Sequence, residues 1–248
     1  MSRAFALVAL LCALAPMAQT VQSALAQTPS PLGERVRLDD LGGLLIDRTE
    51  VTIGQFARYA QATGVRTRAE QEGGGFEYVA GWQRRPGWTW RQPDGVPASS
   101  DLPAVHLTHA EAAAYCRWAG GRLPTAAEWR RAAFTELRAA PPAPWVRGQT
   151  YPWPTGPSAQ GANTSDPDPW PRAAPVTQTA AGVNGLHDMG ANVWEWAADA
   201  RGGERQTLGG SWWYPAWQMK AEVEAWKPAD FYAVYIGFRC VYDAQAGR

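Results

Sequence analysis

Cysteine and histidine are scarce in this chain, at three residues each among 248. That scarcity excludes a cysteine-rich disulfide scaffold. It also leaves few side chains from which a zinc or iron centre could be built. An excess of charge of either sign is missing too, since 23 basic and 23 acidic residues cancel. Without a basic excess or stripe, nucleic acid is not an expected partner. A polybasic membrane-surface protein is disfavoured for the same reason. Beyond the N-terminus no apolar run reaches the roughly 20 residues a transmembrane helix needs. No internal repeat and no domain boundary are visible, so the length reads as one domain with an N-terminal extension.

Common catalytic signatures are lacking as well. Gly73-Gly74-Gly75 has no lysine in phosphate-loop context and reads as a flexible bend. Ser211 sits in Gly-Gly-Ser-Trp rather than a nucleophile elbow. His106 and His109 are three apart, but the second falls inside a helix-start signature, so a shared helical face is not expected. With His187, they read as structural or surface residues. What is abundant is tryptophan, at 14, together with 25 glycines and 20 prolines. The first is a large amount of rigid amphipathic surface to place. The second points to much turn and irregular structure.

Arg3, the apolar run Ala4 to Met17 and the small-x-small end Ser23-Ala24-Leu25-Ala26 form a secretory signal peptide over residues 1–26. Cys12 lies in the apolar run behind Leu10 and Leu11, which is not a lipidation context. Cleavage leaves a periplasmic or secreted chain without a membrane span. That chain keeps two cysteines, Cys116 and Cys240. They admit one disulfide or two buried thiols, and an oxidising compartment favours the bridge.

Residues 27–35 read as a tether and 36–248 as the folded domain. Val36, Leu38, Leu44, Leu45 and Ile46 suit short strands. Three helix starts share a Thr followed three residues later by Gln or Glu, the reciprocal N-terminal capping pattern. Thr52 to Gln55 opens a helix to about Thr63. Thr108 to Glu111 opens one to about Ala119. Thr125 to Glu128 opens one to about Arg138. Ten of the 20 prolines fall in residues 141–175. That stretch cannot be helix or central strand and needs aromatic packing or an ion to pin it.

Several blocks then carry a resemblance: Asp47-Arg48-Thr49-Glu50-Val51-Thr52, Trp90-Arg91-Gln92-Pro93-Asp94-Gly95 and Pro103-Ala-Val-His106-Leu107. Further blocks run from Ala114 to Trp129, from Gly185 to Trp196, from Gly209 to Trp212 and from Ile236 to Cys240. Across essentially the whole mature chain the sequence resembles the formylglycine-generating enzyme, or sulfatase-modifying factor, family. The resemblance implies a single α+β domain with little regular secondary structure, related to C-type-lectin-like folds. It implies a disulfide between Cys116 and Cys240. It also implies two calcium sites. One falls on Asn163, Thr164, Asp168 and Trp170, the other on Asp188, Ala191, Val193 and Glu195. Such mixtures of carboxylate, amide and main-chain oxygens suit a hard cation.

The resemblance breaks at one place. The formylglycine generators oxidise a substrate cysteine with two copper-binding cysteines shortly after Gly-Gly-Ser. Here those places hold Tyr214 and Met219. Copper(I) held by two thiolates needs those soft ligands, so no copper is expected. Trp194, Ser211, Trp213, Tyr214 and Trp217 instead suggest a cleft for a peptide-like or small aromatic ligand. Glu222 and Glu224 stand by as candidate bases. The expectation is an exported, monomeric family member with altered or absent catalysis. The alternative is a periplasmic oxidoreductase-like maturation enzyme for a peptide siderophore of the pyoverdine type.

Overall fold

The computed structural model describes residues 32–244. The expected signal segment 1–26 and most of the expected tether lie outside the described residues. Four helices begin where the chain offers a capping pair. In α1 (Ile53–Thr63) the Thr52 hydroxyl accepts from the Gln55 amide at 3.2 Å, and the Gln55 side chain accepts from the Thr52 amide at 2.7 Å. Gly64, in the left-handed conformation, ends it. The same box starts α2 (Arg68–Gln71), α3 (His109–Trp118) and α4 (Ala126–Phe134). The four-residue α2, capped by Thr67 and Glu70, is an element the sequence reading passed over.

Helix α4 stops four residues before the expected Arg138. The reason lies far along the chain. Asn184 donates its side-chain amide to the Ala132 and Thr135 carbonyls and accepts from the Leu137 amide. This caps the last turn and turns Thr135 into extended backbone, which bridges to Thr150. The buried Glu136 carboxylate then holds Arg138 and the Asn184 amide.

Among the described residues the strands form three small sheets. β1 (Arg35–Leu38), β2 (Leu44–Asp47) and β9 (Val241–Tyr242) make an antiparallel trio. β3 (Gly74–Tyr78) and β4 (Trp82–Pro86) make a hairpin. The largest sheet runs β7 (Ala225–Pro228), β6 (Glu204–Leu208), β5 (Trp194–Arg201) and β8 (Ile236–Gly237). The flexible bend expected at Gly73–Gly75 is corrected. Only Gly73 turns; Gly74 and Gly75 are buried in β3. A Cβ on Gly74 would meet the Arg85 carbonyl, and one on Gly75 would meet the His106 imidazole. Close packing, not flexibility, requires glycine there.

Trp90, Trp129, Trp194 and Trp196 are fully buried in the core, so a share of the tryptophans serves packing. Cys116 on α3 is bridged to Cys240 beside β9, with Cα atoms 5.5 Å apart across 124 residues of sequence. The proline-rich stretch has no helix or strand. Tyr151 pins it, donating its amide to Phe134 O and packing edge-on against Trp145. No helix among the described residues is long and apolar enough to cross a membrane. The architecture is a single α+β domain.

Candidate functional site

Two groups of functional side chains stand out, one acidic and closed, the other aromatic and partly open. The closed group is built on the turn from Asp188 to Asn192, where Asp188, Ala191 and Asn192 all have positive φ. Asn192 is its hub. Its side chain donates to Glu50 Oε2 at 2.7 Å and accepts from the Asn163 side chain at 3.0 Å and the Ala174 amide at 2.8 Å. Glu50 Oε1 accepts from the Val193 amide at 3.1 Å. Glu195 accepts from Arg239 Nε and Nη2 and, at 2.7 Å, from the Trp129 indole. The remaining Arg239 donors go to the main-chain oxygens of Asp47, Arg48 and His187.

Arg239 is hydrogen-bonded to one carboxylate, Glu195, and feels the charges of two more, Glu50 and Asp188, in the same buried space. Burial, and then the charges of Asp188 and Glu195, raise Glu50 well above the usual carboxylate range. Burial raises Asp188 to about 6. Arg239 stays firmly charged: burial opposes its charge, and Glu195 more than restores it. Sequence reasoning assigned no role to Glu50, Asn192 or Arg239. All three lie in the blocks that carried the resemblance, but their convergence needs the fold.

The residues expected around calcium can be tested against this geometry. For the first set, Asn163 Oδ1 is buried without a hydrogen-bond partner. Asp168 accepts the Thr164 and Trp170 amides at 2.8 Å each, which folds the loop around its carboxylate. An orphaned amide oxygen and an oriented carboxylate in the same loop are donors of the kind a hard cation takes. For the second set, Asp188 Oδ2 is likewise buried without a partner, its other oxygen accepting from Thr179 at 2.6 Å. Glu195 fits less well, because both its oxygens already serve Arg239 and Trp129. No group of three His, Cys, Asp or Glu among the described residues has metal-binding geometry, so main-chain oxygens would have to complete either site.

The five expected cleft residues separate. Trp194 and Tyr214 come together, with ring centroids 5.7 Å apart. Ser211 is buried, its carbonyl accepting the Tyr214 amide at 2.9 Å. Trp213 instead faces a groove of about 410 Å³ walled by Trp170, Trp212 and the Thr164–Asp168 loop, next to one of about 520 Å³. Trp217 stands 55 % exposed on a short 3-10 turn. From Tyr214 a row of rings runs outward through Tyr235 and Trp82 to Phe231 and Tyr78, with centroid spacings of 4.7–5.8 Å. Trp82 is 44 % exposed, so the row reaches solvent.

Glu222 and Glu224 are exposed on the approach to β7, and Glu224 faces Arg130 at 3.7 Å. Among the described residues neither carboxylate is paired with a ring of that row. Met219, at the second thiolate place, is buried against Ala162 and Ala191. His106 is buried at a positive φ. Its Nε2 lies 3.0 Å from the Pro93 carbonyl, and burial lowers it to about 4. His109 and His187 likewise pair with main-chain oxygens.

A family model described as a sulfatase-modifying factor enzyme 1-like domain matches residues 29–244. The chain belongs to that family. It is 32% identical over 216 residues to the formylglycine-generating enzyme of Thermomonospora curvata, covering 73% of this chain and 64% of that one. The chain thus spans a little under two thirds of that relative. It is 29% identical over 250 residues to the inactive C-alpha-formylglycine-generating enzyme 2 of Mus musculus, covering 82% of this chain and 75% of that one. The structure of PvdO from Pseudomonas aeruginosa has the same fold, with TM-score 0.58 and 23% identity over 81% of this chain and 80% of the other.

Proposed function

We propose that this chain is an exported family member that binds a peptide-like or small aromatic ligand and does not generate formylglycine by copper and cysteine chemistry. One observation carries the reading. The two places of the thiolate pair hold Tyr214, packed against Trp194 and Tyr235, and Met219, buried in the core. The two cysteines among the described residues are spent on the disulfide. A phenol and a thioether cannot supply the paired anionic sulfur that copper(I) favours. The site has instead become a row of aromatic faces. Calcium, held by Asn163, Asp168 and the main-chain oxygens of Thr164 and Trp170, would order the proline-rich loop. The Asp188 set would take a second ion only if Glu195 divided itself between that ion and Arg239.

A cysteine-containing substrate peptide, copper(I) and oxygen incubated with the mature chain provide the test. The expected mass spectrum shows the cysteine unchanged. Conversion of the thiol to an aldehyde would overturn the reading. Oxidoreductase-like maturation of a peptide siderophore is the second reading, and the fold shared with PvdO favours it. It predicts oxygen uptake with a dihydro-chromophore peptide and no added copper, which a pure binding module would not show.

A further inference from the structure

The two grooves on the proline-rich stretch, of about 410 and 520 Å³, adjoin: Thr164, Asp166, Pro167, Asp168 and Trp170 line both. Volumes of this size are usual for small-ligand sites. Trp212 and Trp213 complete the first groove, and residues 159–162 with Ala216 complete the second. Their linings hold two carboxylates and no Lys or Arg. Asp168 gives both oxygens to amides of its own loop, and Asp166 accepts from the Ala216 amide at 3.3 Å through Oδ2; neither forms an ion pair among the described residues. Arg172 lies over Trp212, 5.4 Å from the ring centre, but Glu77 and Asp94 neutralise it at 2.8 Å each. The lining is therefore aromatic and uncompensated in negative charge.

An indole face attracts a cation within about 6 Å of its centre, and a methylene stem covers apolar surface beside it. Asp168 belongs to the loop's own hard-cation set, so the exposed Asp166 is the carboxylate left to the grooves. A guanidinium engages a carboxylate best through both oxygens. With Oδ2 spent on Ala216, Oδ1 suits a compact point charge, which is an ammonium. The fold already uses that pairing nearby: Lys220, just after the turn that carries Ala216, places Nζ 5.2 Å from the centre of the Trp153 ring. We propose that these grooves bind an alkylammonium group, of a linear amine or of a lysine side chain, with its stem against Trp170 and Trp213 and its charge on Asp166. No ring of the Tyr214 row lines either groove, so the proposal stands or falls separately from the reading above.

Acetyl-Gly-Lys-Gly-amide and acetyl-Gly-norleucine-Gly-amide share the stem and differ in the ammonium, and spermidine carries the ammonium without a peptide. Each is titrated into the chain at low ionic strength with calcium present. Indole N–H signals in the NMR spectrum, assigned by replacing each Trp in turn with Phe, report where it binds. The lysine peptide is expected to bind about fivefold or more tighter than the norleucine peptide, shifting the signals of Trp170 and Trp213. Asp166→Asn, which keeps an acceptor for the Ala216 amide, should level the two peptides, and Trp213→Leu should weaken the lysine peptide. Near-UV circular dichroism checks that each variant is folded. Binding of spermidine alone assigns the site to a free amine, and binding of the lysine peptide alone assigns it to a peptide; either supports the ammonium. Failure of both to bind overturns the proposal. So does equal affinity of two bound peptides, a preference that survives Asp166→Asn, or shifts confined to Trp82 and Trp194.

Discussion

Arg239 and Lys227 are two cations inside one domain, and they are treated in opposite ways. Each Arg239 nitrogen reaches an oxygen, and its partner Glu195 is filled from both sides. Lys227 lies over the face of Trp194, 5.5 Å from the ring centre, and forms no ion pair with a carboxylate among the described residues. The first arrangement is finished by the protein itself, so it belongs to the scaffold. The second is unfinished, and burial holds the Lys227 ammonium below the usual lysine range. Asn163 Oδ1 and Asp188 Oδ2 are unfinished in the opposite sign, which is why they suit a cation.

The sharpest way to break the comparison is Glu195→Gln. It leaves the Arg239 guanidinium buried beside a neutral amide, and removing one partner of a buried pair costs about 3–5 kcal/mol. Urea denaturation should show that loss. If Glu195→Gln is neutral, the closed group is not the finished network described here. Replacing both Cys116 and Cys240 by Ser opens a loop of 124 residues and should cost about 2–5 kcal/mol. Reducing agent should do the same to the wild-type chain and nothing to the double variant.

His106 gives a smaller, pH-dependent effect. Its folded value of about 4 lies below the ordinary 6.5, so the unfolded chain takes up the proton first as pH falls. Its contribution is therefore complete above about pH 6.5 and lost as pH falls towards 4, by up to about 3 kcal/mol. Asp47 and Asp188, raised by burial to about 7 and 6, work in the other direction, since their neutral forms favour the folded state at low pH. The wild type must therefore be compared with His106→Asn, a residue that tolerates the positive φ. The variant should lose the acid-side slope assigned to the imidazole; identical slopes would remove that assignment. Smallest of all is Lys227→Met. Removing a buried ammonium that has no ion pair should change stability by about 1 kcal/mol or less, in the stabilising direction. A large loss would make Lys227 part of the scaffold and end the contrast with Arg239.

Much of this was legible in the sequence, for stated reasons. The helix starts followed from Thr and Gln or Glu at fixed spacing, a local rule. The end of α4 did not, because its cap is Asn184, some 50 residues away in the chain. The Trp194–Tyr214 contact was within reach of the family blocks. Trp213 and Trp217 were grouped with it by closeness in sequence, and the turn after Ser211 sends them elsewhere. Glu50 and Arg239 were quoted in the motifs yet carried no role, since only the tertiary fold brings residues so far apart onto Asn192 and Glu195. The pairing of Arg205 with Lys227 depends on strand register, which polar residues on a half-open ribbon specify weakly.

The central proposal is that this scaffold holds a hard cation in its proline-rich loop and no copper at Tyr214 and Met219. Elemental analysis of the chain, purified without chelator, tests it most directly. The account predicts calcium in stoichiometric amount and no copper. Stoichiometric copper would contradict it.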